Sequence, residues 1–150
     1  MTLIELTTEL QGSAEEAFDL SLDVNVHTES MSASKEAAIA GVTSGRMALS
    51  DDVTWRAWHF GIPWRMTSRI TAFDRPRRFV DEQIYGPFAH FRHEHLFATH
   101  QNATRMVERI EFSAPLGVIG RAAERLVLAG YLKRLVRRRN SYLASKITAR

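Results

Sequence analysis

The sequence predicts an α+β fold in which a curved antiparallel sheet of about seven strands grips one long C-terminal helix. Three observations predict it. A strand-like run and a short helical stretch open the chain. From residue 39 to residue 113, apolar and polar residues alternate in runs separated by short turns. Residues 118–147 then read as helix. Short turns between successive runs favour an antiparallel meander. Such a sheet has one face to bury, and a single long helix can cover it, leaving a hollow where the strands are long and bent.

The elements follow in order. Residues 3–10 alternate Ile4, Leu6 and Leu10 with polar neighbours and read as a strand. Ser13, with Glu16 three residues on, forms the signature of a capped helix start, so a helix over 14–22 is expected. A shorter helix or turn follows over 26–30. Residues 39–49 form a weak strand containing Gly41 and Gly45. Stronger strands are expected over 53–60, 64–73, 79–85, 88–99 and 105–113. Their turns fall at Gly61-Ile62-Pro63, Asp74-Arg75-Pro76, Gly86-Pro87 and Gln101-Asn102. The apolar positions of the last helix fall on two faces. Ile119, Ala122, Ala123, Leu126 and Val127 share one. Leu128, Leu132, Leu135, Val136, Leu143 and Ile147 share another, rotated by roughly a third of a turn. A kink near Gly130, or a helix wrapped by the sheet on more than one side, would reconcile them.

The 150 residues show no internal repeat, low-complexity linker or composition break, so a single domain over 1–150 is expected. At 45% hydrophobic and 25% charged residues the chain is globular rather than disordered. It has no cysteine, which excludes disulfides, thiolate catalysis and cysteine zinc sites. Neither a signal peptide nor an 18-residue apolar run is visible, and a cytoplasmic location is expected. The net charge of +3 is unevenly placed. Residues 121–150 hold nine basic residues, Arg150 among them, and one acidic residue, Glu124. Such a run is most often a solvated helix face, although weak contact with an anionic membrane is open. No nucleic-acid partner is expected.

Alternation also assigns faces. In the last strand Met106, Glu108, Ile110 and Phe112 point one way, the buried way, and they include a carboxylate. In the strand before it, Phe91, His93, His95 and Phe97 share the inner face. In 79–85 the inner set is Phe79, Asp81, Gln83 and Tyr85, with Val80, Glu82 and Ile84 as competitors. In 53–60 it is Val53, Trp55, Ala57 and His59, with Thr54, Arg56, Trp58 and Phe60 as the other choice, less apolar at its start. Asp81, Gln83, His93, His95, Glu108 and His59 therefore gather inside. Burying so many polar groups costs several kcal/mol unless they pair. They can form a closed hydrogen-bond network, the polar end of a ligand cavity, a metal site built on the His-x-His pair, or acid–base machinery.

The run Phe79-Val80-Asp81-Glu82-Gln83, then Gly86-Pro87-Phe88, then Phe91-Arg92-His93-Glu94-His95 with Phe97 resembles the SRPBCC superfamily. That superfamily groups START, polyketide cyclase/dehydrase and Bet v 1-like proteins, and the likeness is greatest to its small bacterial single-domain members. Pro115-Leu116-Gly117 leading into 126–140 fits the same pattern. The resemblance implies a helix-grip fold and an apolar cavity for a lipid, polyketide or similar hydrophobic molecule; no cofactor and no metal are expected. In that reading Trp55, Met66, Phe91, Phe97, Met106, Ile110 and Phe112 form apolar walls, and Asp81, Gln83, His93, His95, Glu108 and His59 supply polar contacts. One alternative is a cyclase or dehydratase using His93, His95 or Glu108 as acid or base. Another is a peripheral membrane lipid carrier docking through Lys133, Arg134, Arg137 and Arg138. A monomer or homodimer is expected.

Overall fold

The computed structural model of the protein describes residues 1–148, so Arg150 of the basic segment lies outside the described residues. The strands are β1 (Thr2–Leu10), β2 (Ala37–Gly41), β3 (Asp52–His59), β4 (Ile62–Asp74), β5 (Arg78–Tyr85), β6 (His90–His100) and β7 (Ala103–Ser113). Helices α1 (Ala14–Ser21) and α2 (Val24–Ser30) join β1 to β2. Helix α3 (Gly117–Ala123), a π-helical turn (Glu124–Leu128) and α4 (Ala129–Thr148) follow β7. The seven strands form one antiparallel sheet in the order β1-β7-β6-β5-β4-β3-β2. Strands β2 to β7 are a meander, and β1 closes the far edge against β7.

Local chemistry explains the boundaries. Ser13 caps α1, its Oγ accepting the Glu16 N–H at 3.1 Å, and Asp23 caps α2 by accepting the Val26 N–H at 3.0 Å. The β3–β4 hairpin turns at Phe60-Gly61, where both residues have positive φ (57° and 72°), the geometry of a tight two-residue hairpin loop. The expected turn at Gly61-Ile62-Pro63 therefore moves back by one residue. Ile62 and Pro63 already pair with His59 and Trp58.

Three other expectations need correction. The strand expected over 39–49 is only Ala37–Gly41. Gly41 takes φ +73°, and a Cβ there would lie 2.2 Å from the Asp52 carbonyl oxygen, so the chain turns away instead of continuing. Tyr85 does not face inward but is 73% exposed, because pairing of β5 with β6 stops at Glu82. The long terminal helix runs without a gap from Gly117 to Thr148, but Gly130 is not where it departs from α geometry. Its irregularity is the π turn at Glu124–Leu128, where one extra residue per turn re-aims the apolar stripe. The first apolar face is not wrapped by the sheet. Ile119 (74%) and Leu126 (82%) stand exposed.

The second apolar face packs inward. Leu143 and Ile147 join Leu10, Phe18, Val53, Ile70, Phe79, Phe97 and Met106 in the main core. Phe18 meets Phe73, Phe79 and Phe97 edge-on at 5.3–5.5 Å. Such aromatic pairs each add roughly 0.5–1.5 kcal/mol beyond burial. A second cluster of Ile4, Ile110 and Phe112 packs Leu128, Leu132 and Val136 from α4 and the π turn. The opposite face of the sheet carries cross-strand ion pairs, including Arg78–Glu94, Arg105–Glu9 and Arg109–Glu5. Between the two cores the helix and the sheet stand apart, and that gap is the cavity.

Candidate functional site

The gap is an open cavity of about 390 Å³. Strands β3 and β4 contribute Trp55, Ala57, His59, Trp64, Met66 and Ser68. Pro87, Phe88 and Phe91 come from the β5–β6 side, and Leu128, Tyr131, Leu132, Leu135 and Val136 from the helix. Lining residues that are also solvent-exposed, Phe60, Trp64 and Pro115, mark its opening. A smaller hollow of about 70 Å³ lies alongside, lined by Phe79, Ile70 and His95. The two share Trp55, His27, Ser68, Asp81, His93 and Arg139.

Alternation places the charged end. Odd residues of β6 and even residues of β7 face the helix, and register pairs His95 with Glu108 across the strands. Glu108 is fully buried. Its Oε2 accepts from His93 Nε2 at 2.7 Å and from Arg139 Nη2 at 3.0 Å, and its Oε1 accepts from Asn140 Nδ2 at 2.5 Å. Asn140 also donates to Thr8 Oγ1 at 3.1 Å. Burial alone would raise the Glu108 carboxyl, but the Arg139 charge and the His93 contact outweigh it and hold the group well below the usual carboxylate range. Glu108 is therefore an ionised anchor held by three donors.

His95 is the second buried imidazole. Burial, together with the neighbouring His93, pushes its pKa down to about 4, against the opposing pull of Asp81. A neutral His95 must donate from Nε2 to reach the Asp81 carboxylate at 2.8 Å. Its Nδ1 then keeps a lone pair and has no hydrogen-bond partner. Glu108 Oε2, 3.6 Å away, is an acceptor and cannot satisfy it. Phe79, His95 and His93 form a continuous ring stack, with centroid spacings of 4.0 and 3.8 Å. Asp81 is likewise held below its ordinary value: burial opposes ionisation, but the His95 hydrogen bond and the electrostatic pull of His93 and Arg139 outweigh it.

Asp81, His93 and His95 each offer one ligand atom within 4.8 Å of the others, a set able to hold a metal ion. The parallel ring stack and the Arg139 guanidinium beside the set both oppose a dication there. Two further polar pairs lie on the cavity wall. His27 Nε2 and Glu36 Oε1 are 2.9 Å apart, and the His27 ring packs on Trp55 at 4.4 Å. His59 Nδ1 and Tyr131 Oη are 2.6 Å apart, linking the β3–β4 hairpin to α4, and Phe60 packs against the Tyr131 ring at 4.6 Å. Burial keeps the His59 imidazole below its ordinary pKa.

Of the residues expected from the sequence, Trp55, His59, Met66, Asp81, Phe91 and His93 line the main cavity, and His95 lines the smaller hollow. Glu108 sits behind His93 and reaches neither. Phe97, Met106, Ile110 and Phe112 face inward but pack within the two cores instead of lining the cavity. Gln83 does not reach the polar cluster either. Its side-chain amide clamps the following turn, donating to the Phe88 carbonyl at 2.8 Å and accepting the Phe88 N–H at 3.2 Å. Sequence reasoning missed Arg139 and Asn140, which sit within a basic run that reads as solvated. Arg139 is only 6% exposed. The one usable signal was spacing: Arg139 follows Leu135 and Val136 by four and three positions, on the inward stripe. His27, Glu36 and Tyr131 gave no periodic signal.

Comparison with known proteins places this arrangement. None of the curated proteins compared matches the chain. Among solved structures, protein TTHA0849 from Thermus thermophilus superposes with a TM-score of 0.80 at 15% identity, covering 99% of this chain and 98% of that one. The Zhui aromatase/cyclase from Streptomyces sp. R1128 gives 0.77 at 15% identity, over 98% and 93%. A START superfamily protein from Mycobacterium smegmatis gives 0.73 at 14%, over 98% and 97%. At these identities the likeness is one of fold. No helix among the described residues is long and apolar enough to cross a membrane. Residues 1–148 match the family described as polyketide cyclase/dehydrase and lipid transport, and the chain belongs to that family.

Proposed function

We propose that the protein binds a small hydrophobic molecule, a lipid, polyketide or similar compound, with its apolar body between sheet and helix and one polar end against Asp81, His93 and Arg139. The observation that carries this reading is the cavity itself. It has the size of a small-molecule site and is walled mainly by aromatic and aliphatic side chains, with Asp81, His93 and Arg139 grouped together among them. A core needing only stability would have closed over that volume, since empty apolar space costs stability. Native mass spectrometry of protein purified from its own host tests the reading. A noncovalent adduct released by organic extraction is expected. A clean ligand-free mass, with no rise in Tm on adding fatty acids, sterols or aromatic polyketides, would sink it.

One observation supports a second, catalytic reading. His93 lines the cavity while its Nε2 is oriented by a buried carboxylate, the base-and-orienter geometry of acid–base catalysis. In a cyclase or dehydratase, His93 would take an acidic proton next to a substrate carbonyl, and the Asp81–His95 pair would balance the charge. Turnover of a reactive polyketide chain that disappears in His93→Gln, with ligand binding retained, is the expected signature. Equal product formation with and without the protein would leave binding as the whole function.

A further inference from the structure

Helix α3 and the π turn expose an unusual surface. Leu116 (77% exposed), Val118 (71%), Ile119 (74%), Leu126 (82%) and Val127 (49%) stand in solvent within twelve residues. Folding buries large aliphatic residues where it can, and a contiguous exposed group of them marks a contact surface. At helical spacing Val118, Ile119 and Ala122 share a face of α3, Leu126 and Val127 follow on the π turn, and Arg121 and Arg125 lie in the same two segments. Arg121, Arg125, Arg134, Arg137 and Arg138 are exposed, and none of them takes part in an ion pair among the described residues. The only acid of this segment, Glu124, is buried: it accepts from Thr2 Oγ1 and the Ala114 N–H. The surface of α3 and the π turn, with Arg121 and Arg125 on it, is thus aliphatic and cationic together, and Arg134, Arg137 and Arg138 follow along α4. It begins at Pro115, which lines the opening of the cavity.

We infer that this face docks the protein onto an anionic lipid bilayer, with the aliphatic stripe among the acyl chains and the arginines among the headgroups. The composition selects this occupant over two others. A second copy using the same patch would crowd four arginines, Arg121 and Arg125 of each chain, into one contact, with Glu124, the only acid of the segment, buried away from it. A nucleic acid would use the arginines but offers nothing to five exposed aliphatic side chains. A bilayer with acidic headgroups satisfies both, as interfacial helices with an apolar stripe and basic borders do. The docked face would hold the cavity opening beside the membrane, so a hydrophobic ligand could pass without crossing water.

Vesicle co-sedimentation with the intact protein tests this independently of any cavity ligand. The protein should pellet with vesicles of 70% phosphatidylcholine and 30% phosphatidylglycerol, remain largely soluble with pure phosphatidylcholine, and be released by 0.5 M salt. Each basic residue near an anionic surface contributes roughly fivefold to partitioning. Arg121→Glu with Arg125→Glu should therefore weaken binding at least tenfold, and so should Ile119→Glu with Leu126→Glu, all four positions being exposed. Unchanged melting temperatures would show that the variants are folded. Failure of the wild type to pellet with anionic vesicles would overturn the inference, as would undiminished binding by either double variant. It would equally be overturned by a dimer in light scattering that Leu126→Glu splits, or by preference for duplex DNA over vesicles.

Discussion

Arg139 on α4 donates from Nη2 to Oε2 of Glu108 on β7 at 3.0 Å, and both side chains are almost completely buried. This contact ties the closing helix to β7, next to the β1 edge of the sheet, where His93 and Asn140 complete the carboxylate's partners. Breaking a buried pair by removing one partner costs about 3–5 kcal/mol, because the other charge is left uncompensated. Arg139→Met should destabilise the protein by that order in urea unfolding. Replacing both, Glu108→Leu with Arg139→Met, should recover a large part of the loss, because no lone charge remains. Additive losses in the double variant would show that the two residues do not act as a unit.

The depressed pKa of His95 sets a pH window. Its folded value, about 4, lies below the ordinary imidazole value of 6.5. Between those values the unfolded chain binds a proton that the folded chain refuses, so unfolding stability rises with pH across the window and is lost as pH falls through it. The full difference corresponds to roughly 3 kcal/mol. Below pH 4 the ionised Asp81 and Glu108, whose folded values are depressed, continue the loss in the same direction. Urea unfolding at pH 7, 5.5 and 4.5 should show a steady decline in wild type and a flatter one in His95→Leu. A wild-type protein equally stable at pH 7 and 4.5 would contradict this account of the buried ring stack.

Gln83 was expected at the polar end of the cavity and instead holds the turn that leads into β6. Gly86 lies against it so closely that a Cβ would come within 2.4 Å of the Gln83 Oε1. Gln83→Ala removes two hydrogen bonds, each contributing about 0.5–1.5 kcal/mol. Gly86→Ala should displace the same amide and lose similar stability. The two changes together should cost little more than one, since both release the same turn. Phe88 and Pro87 belong to the cavity wall, so either variant should also weaken binding of a hydrophobic dye. Loss of stability with dye binding unchanged would confine the clamp to a structural role.

Gln83 and Arg139 show where the sequence was legible and where it was not. Period-two alternation is a property of backbone geometry, so β6 and β7 displayed their inner residues directly, and His93, His95 and Glu108 were found by it. Alternation gives the face of a residue but not its depth. Phe97, Met106, Ile110 and Phe112 face inward correctly yet pack in the cores, because whether helix and sheet touch or stand apart depends on the path of α4. That path is set by the π turn, which no single residue announces. Within α4 ordinary helical phase splits the basic run, so that Arg139 shares the inward stripe of Leu135 and Val136 while Arg137 and Arg138 face water. Residues brought in from α2, the 35–36 loop and α4, such as His27, Glu36 and Tyr131, meet the site only through tertiary packing and leave no local pattern.

Tyr131 and His59 are joined at 2.6 Å between the helix and the β3–β4 hairpin, beside Phe60 and Trp64 at the cavity opening. With the His59 imidazole kept neutral by burial, Nδ1 can accept the Tyr131 hydroxyl proton. The contact therefore works as a strap across the opening, and it should slow ligand exit more than it strengthens the walls. Tyr131→Phe keeps the ring that packs on Phe60 and removes only the hydroxyl. A hydrogen bond of about 1 kcal/mol corresponds to roughly a fivefold change in rate. Dissociation of a fluorescent hydrophobic probe, followed by tryptophan quenching in stopped flow, should accelerate by about that factor in Tyr131→Phe, with association little changed. If exit from the variant is as slow as from wild type, the strap does not control the opening, and the apolar walls alone retain the ligand.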